Sequence, residues 1–324
     1  MIVPQYWAEA KRRATLHGRR VTVRRFGWSD ESQSDADRQA ETRLQDAIER
    51  LERGERLAQR EWKVPYNGAQ GLPIREEILR RHGTTVETRN SYGAHCLNTP
   101  NVLFADIDFT PRHTPTPVLA WLVLLAGGIA TALATRSAWA LLAAFIVGTA
   151  VYAVITARAR AHDQGHGERQ LRGALRRIDA FLRAHPEWHV RLYRTPAGLR
   201  VLVTHRTFEP DEPAVHAFFR EIGVDANYAA MCRNQRCFRA RVTAKPWRIG
   251  IRAHMKPRPG VWPVAPNRLP ERQRWIHLYE ERAAHFAACR FLDARGSGGV
   301  HPEADHVRRV HDELARAHSS LPIA

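Results

Sequence analysis

The sequence predicts an α+β chain: a ferredoxin-like βαββαβ core, a two-helix transmembrane hairpin inserted after its first strand, and helices toward both ends. Three observations predict it. The stretch VLFADIDF, residues 102–109, reads as a buried strand that carries two acids. Residues 117–156 form two apolar runs, each close to the ~17–25 residues needed to cross a bilayer. Beyond them the pattern alternates as helix 167–184, strands 188–194 and 199–206, helix 212–222 and strand 237–243.

In chain order, residues 34–58 place Ala40, Leu44, Ala47, Ile48 and Leu51 on one helical stripe, with Ser34 as a fitting N-cap. PYNGAQGLP is rich in Pro and Gly and reads as a loop. PIREEILRRHG, residues 73–83, reads as a short helix with Pro at its start and Gly83 past its end. TVETRN then reads as a strand. KVPYNG (63–68) and NSYGAH (90–95) are polar turns.

Only Arg136 and Ser137 separate the two apolar runs, so the helices should form an antiparallel hairpin, and Gly127 and Gly128 allow close backbone approach. Trp121, Trp139 and Tyr152 lie near the ends, where amphipathic rings favour the interface. Arg112 precedes the hairpin and Arg158 and Arg160 follow it, so the excess of positive charge places both termini on the cytoplasmic side of the cell membrane. The helices carry no internal acid or base that would mark an ion path, which favours a tether over a transporter.

After the hairpin, Leu171, Leu175, Ile178 and Leu182 follow a helical spacing. HVRLYRT and LRVLVTH are β-rich runs joined by Pro196-Ala197-Gly198, a hairpin signature. EPAVHAFFREIG reads as a helix capped by Asp211 and ended by Gly223, and in CFRARVT the residues Phe238, Ala240 and Val242 alternate with Arg239 and Arg241. The C-terminal part, after PRPGVWPVAPNRLP, reads as helices at 270–293 and 302–317. The expected organisation is an N-terminal α+β segment at 1–99, the core at 100–111 and 157–260, the hairpin at 112–156 and a helical segment at 261–324.

With 50 Lys+Arg against 33 Asp+Glu and a net charge of +17, the polar parts carry extensive positive surface, suited to nucleic acid, nucleotides or anionic lipid. Four cysteines in 324 residues do not make a disulfide framework, and MIVPQYWAEAKRR is not a signal peptide. Cys232 and Cys237 lack a second close pair and read as buried thiols in place of a zinc site. His162 and His166, at i and i+4, fall in a Gly-containing linker, and no Walker, GxSxG or HExxH pattern occurs.

Asp106 and Asp108 stand at i and i+2 of a strand and so share a face. Two carboxylates in an apolar strand need a positive neutraliser: a divalent cation such as Mg²⁺ or Mn²⁺, or an arginine. Residues 226–270 hold ten Lys or Arg and no acid. If Arg239 and Arg241 face the two aspartates, the group makes a metal-plus-cation site for a triphosphate or a nucleic-acid backbone. Alternatively, the arginines neutralise the aspartates directly or meet anionic lipid beside the anchor.

The DID strand, the hairpin TPAGLRV (195–201) and the segment DANYAAMCRNQRCFRARVTAKPWR together resemble archaeo-eukaryotic primases and primase-polymerases. The resemblance implies a palm-type core and a metal-dependent nucleotidyltransferase. It makes Asp106 and Asp108 the catalytic metal pair, with Asp225 the nearest third metal ligand, and matches Lys245 and Arg248 to the basic segment; together with these, Arg200, Arg239 and Arg241 are the expected nucleotide-binding residues. Arg200 stands where that family has a nucleotide-binding histidine, His205 falls at an odd offset on the same strand, and strand 237–243 has no acid. Diguanylate cyclases share an early DxD strand, but their glycine-glycine-acid signature is missing. Two functions are therefore open. One is a membrane-anchored nucleotide- or nucleic-acid-binding protein, as an enzyme of the primase type or without catalysis. The other is a non-enzymatic membrane scaffold in which the same residues form a structural Asp/Arg network.

Overall fold

The computed structural model describes residues 3–16, 18–61, 72–110, 118–136 and 138–324. The chain is mixed α+β with antiparallel sheets. It divides into two compact units, Met1–Ile107 with Arg177–Ala324, and Asp108–Arg176. The turn KVPYNG, most of PYNGAQGLP, Arg112, Pro117 and Ser137 lie outside the described residues, as do the side chains of Arg160 and His162.

The first unit opens with β1 (Tyr6–Leu16) and β2 (Arg19–Ser29), an antiparallel ribbon in unbroken register from Tyr6 opposite Ser29 to Leu16 opposite Arg19. Helix α1 (Gln33–Glu52) lies on it and buries the expected stripe, Ala40, Leu44, Ala47, Ile48 and Leu51, against Ala8, Ala10 and Val23. Its N-cap is Ser32, not Ser34: the Ser32 hydroxyl accepts from the Asp35 amide at 3.1 Å. Gly27 makes the close approach possible, because a Cβ there would fall on the Ala36 carbonyl oxygen and the Ala40 amide.

Strands β3 (Glu77–His82), β4 (Thr85–Arg89), β5 (His95–Thr99) and β9 (Phe238–Arg241) form one four-stranded sheet in that order. The segment expected as a helix at 73–83 is thus a strand at its core. Gly83, read as a helix terminator, has φ 62° and turns the chain between β3 and β4. A short run flanked by Pro and Gly satisfies both readings, and pairing with β4 decides between them.

The second four-stranded sheet runs β10 (Arg290–Gly296), β7 (His189–Thr195), β8 (Gly198–Val203), β6 (Phe104–Asp108). β7 and β8 form the expected hairpin, closed where Thr195 faces Gly198. Strand β10 corrects the helix expected at 270–293. Helix α6 (Leu269–Ala283) stops earlier, and residues 290–296 pair antiparallel with β7. The Ala-rich lead into β10 has helical propensity, but the free backbone edge of β7 outweighs it.

The 167–184 helix is the end of α3 (Ala138–Ala184). Its Ile178 and Phe181 join Trp188, Phe208 and Phe218 in a buried aromatic core, with Trp188 ring centroids 4.8 Å from both Phe181 and Phe218. Helix α4 (Pro213–Ile222) ends at Gly223 as expected, but its N-cap is Glu212 in place of Asp211. An unanticipated helix, α5 (Ala226–Gln235), follows, and α7 (Pro302–Leu314) closes the chain. All four cysteines are free and buried.

In the second unit, α2 (Val118–Thr135) and the first part of α3 carry the apolar runs, joined through Arg136 at φ 51°. The Trp121 and Phe145 rings meet edge-on at 6.4 Å. Among the described residues one stretch, Leu141–Arg158, is long and apolar enough to cross a membrane by length and composition, and Trp121–Thr135 is a shorter apolar helix. The expectation of two full spans is therefore reduced to one such helix.

Candidate functional site

Strand β8 lies beside β6, and this places Arg200 against Asp106. The contact is a two-pronged fork: Arg200 Nε donates to Asp106 Oδ1 at 2.8 Å and Nη2 donates to Oδ2 at 3.0 Å. The third nitrogen, Nη1, donates to the Arg241 carbonyl at 2.8 Å and lies 3.3 Å from His311 Nε2. Arg200 is only 2% exposed. Burial opposes its charge, but the Asp106 carboxylate more than offsets this and raises its pKa.

Asp225 caps α5 through its carboxylate, which accepts from the Tyr228 amide at 2.8 Å, and its own amide donates to the Asp106 carbonyl at 3.3 Å. The cap aims Tyr228 so that its hydroxyl lies 2.9 Å from the Phe104 carbonyl and 3.0 Å from that of Arg239. β6 and β9 belong to different sheets, and this hydroxyl and the Arg200 guanidinium both bridge them. Burial, first, and nearby groups of like sign keep the phenol firmly protonated.

The remaining expected site residues go elsewhere. Arg239 and Arg241 do share the face of β9 opposite Phe238 and Ala240. Arg239, however, grips Glu76 with Nη2 at 2.7 Å from both carboxylate oxygens and donates to Asn98 Oδ1 at 2.9 Å. Arg241 donates to the Thr243 carbonyl at 2.6 Å. Neither bonds the Asp106 carboxylate, which Arg200 holds; β9 is paired with β5, and β5 brings Asn98 opposite Arg239. Asp108 ends β6 in an exposed position. Lys245 and Arg248 flank Trp247 on a 3-10 turn, Pro246–Ile249.

This donor set does not fit a Mg²⁺ or Mn²⁺ centre. Both Asp106 oxygens are taken by Arg200, the Asp225 carboxylate holds a helix end, and no group of three or more His, Cys, Asp or Glu occurs among the described residues. Arg200 is the neutraliser the strand required.

Two clusters carried no sequence signal. Beneath Arg200, Cys289 Sγ lies 3.9 Å from His311 Nε2, and His311 Nδ1 lies 3.0 Å from Asp312 Oδ1. The order is that of nucleophile, base and orienting acid, but all of it is buried. Burial pushes the Cys289 thiol up to about 12 and lowers His311, so both stay neutral and no thiolate forms. The second cluster is a clamp on α6. His95 Nδ1 lies 2.9 Å from Glu87 Oε1 and its Nε2 lies 2.9 Å from Glu280 Oε1, while Arg89 Nη1 donates to the same Glu280 oxygen at 2.7 Å. Burial disfavours the imidazolium, yet the bonds to Glu280 and Glu87 outweigh it and raise the His95 pKa. Glu87 and Arg89 lie just before the turn NSYGAH, but Glu280 is 185 residues from His95, so the turn gave no hint of this role for its last residue.

The free basic surface lies elsewhere on the segment 226–270. Arg233, Arg236, Arg252, Lys256, Arg258 and Arg268 are exposed. Of these, Arg268 pairs with Glu271 at 2.8 Å. Comparison with protein-family models, with curated proteins and with solved structures finds no match to the chain.

Proposed function

We propose that the chain is a membrane-tethered nucleic-acid-binding protein in which the Asp106–Arg200 pair is structural. One observation carries the reading. The segment 226–270 is one-signed, and the structure turns Arg239 and Arg241 inward onto their own partners while leaving Arg233, Arg236, Arg252, Lys256 and Arg258 in solvent. Such a surface draws phosphates through counterion release. The palm-type core is supported by the element order β6, end of α3, β7, β8, α4, β9, with the extra helix α5 before β9 and with β9 in the other sheet. In it β9 sits beside β5, and the Tyr228 hydroxyl ties it to β6.

The tether rests on Leu141–Arg158, of which 6% is buried; the core helix of a soluble domain would hide most of its apolar surface. The shorter helix α2 completes a hairpin, with both termini cytoplasmic by the flanking arginines. A primase-type nucleotidyltransferase would need Asp106 free of Arg200, so the geometry favours binding over metal-dependent transfer.

The test uses the full chain in neutral-lipid nanodiscs with short labelled oligonucleotides. Binding should persist in a chelator and weaken steeply between about 50 and 200 mM salt. Absence of binding at the lower salt overturns the reading. Binding that requires Mn²⁺ and is lost in Asp106→Asn would overturn the structural role of the pair and favour the nucleotidyltransferase.

A further inference from the structure

Trp247 is 55% exposed, and it is the sole large hydrophobic residue so exposed between 226 and 270 among the described residues. Its indole meets the Tyr92 ring edge-on at 5.3 Å, and Lys245 Nζ sits 5.3 Å from its centroid. The loop that presents it is held at three points by α6. The Tyr279 hydroxyl donates to the Ala244 carbonyl at 2.7 Å, Arg282 Nη1 to that of Gly250 at 3.2 Å, and Trp275 Nε1 to that of Ala253 at 3.0 Å. Ile249, Ile251 and Met255 are buried beneath it, and Arg252, His254, Lys256 and Arg258 are exposed along it.

We infer that Trp247, backed by Tyr92, is a stacking platform for an unpaired base of single-stranded nucleic acid, with Arg252 and Arg258 on the flanking phosphates. The inference rests on the nucleic-acid reading above and names its ligand class. A flat ring fixed on a rigid turn offers the π-face away from Lys245 to a base with little ordering cost, and the exposed Arg252 and Arg258 of the same loop supply charge for the backbone. A base inside a duplex is already stacked and cannot use that face. Insertion into lipid would call for aliphatic neighbours, but the loop's aliphatic side chains point inward and its outer side chains are charged.

The full chain in neutral nanodiscs is titrated with a labelled oligo(dT) strand and with a duplex, following anisotropy. Trp247→Ala should weaken single-strand binding about ten-fold and leave duplex binding unchanged, and Trp247→Phe should keep most of the affinity. Arg252→Ala should weaken both and flatten the salt dependence. Slow thiol labelling of the buried cysteines checks that each variant is folded. Single-strand binding equal in Trp247→Ala and wild type, or an equal loss for strand and duplex, overturns the platform and leaves the nucleic-acid reading standing. A wild-type chain that binds neither overturns both.

Discussion

Replacing Asp106 with alanine would strand a cation in the interior. Arg200 is 2% exposed and loses both prongs of its fork, keeping the bond to the Arg241 carbonyl. Removing one partner of a buried ion pair costs about 3–5 kcal/mol. The Asp106 side chain is 29% exposed, so water can reach part of the freed guanidinium, and about 3 kcal/mol is the expected loss. That is on the order of a hundred-fold in the unfolding equilibrium. Asp106→Leu with Arg200→Met removes both charges and should return to within about 1–2 kcal/mol of wild type, the residue being the lost bond to the Arg241 carbonyl. The assay is a urea titration of the full chain in nanodiscs, read by labelling of the four buried thiols. A single variant within about 0.5 kcal/mol of wild type, or a double variant as weak as the single, would refute the structural pair.

His95 contributes to stability as an imidazolium bridging Glu87 and Glu280. Its raised pKa means that this contribution is full below about pH 6.5 and fades as pH climbs through the folded value. The urea midpoint should fall over that window in the wild type and stay flat in His95→Gln; parallel profiles would show that the bridge is inert. Glu87 and Glu280 are held below 4.5, because the bonds from His95 outweigh their burial, so their share is lost as pH drops through those depressed values. Gly27→Ala drives a methyl into the α1 backbone at Ala36 and Ala40 and should destabilise the ribbon-helix pair by about 1–3 kcal/mol, seen as faster proteolysis of α1. Unchanged proteolysis would mean that α1 can lift away without cost. Ile146→Arg, in the middle of the apolar stretch, should cost about 2.5–3.5 kcal/mol of insertion and shift the chain toward the alkaline-extractable fraction. Extraction identical to wild type would place that helix outside the bilayer core.

Local signals carried as far as local physics reaches. The α1 stripe, the β7–β8 turn, the end of α4 at Gly223 and the alternation along β9 all follow from residues within a few positions of one another, and all are present. Segments 73–83 and 284–293 misled for the same reason: their propensity was helical or ambiguous, and an open strand edge, of β4 in one case and β7 in the other, recruited them. The site shows the same boundary. That Asp106 needed a positive partner was legible in an apolar strand. That the partner is Arg200, 94 residues away, and that Arg239 turns instead to Glu76, 163 residues away, was not.

The sequence by itself determined the excess of positive charge, its concentration in 226–270, the apolar stretch and the periodic elements, since each depends only on which residues are near one another in the chain. Tertiary structure alone decided which acid meets which arginine, because that choice follows from strand order. With β8 beside β6 and β9 beside β5, Arg200 takes Asp106 in a buried fork, Arg239 pairs with Glu76 instead, and the cations left over define the surface that remains to bind.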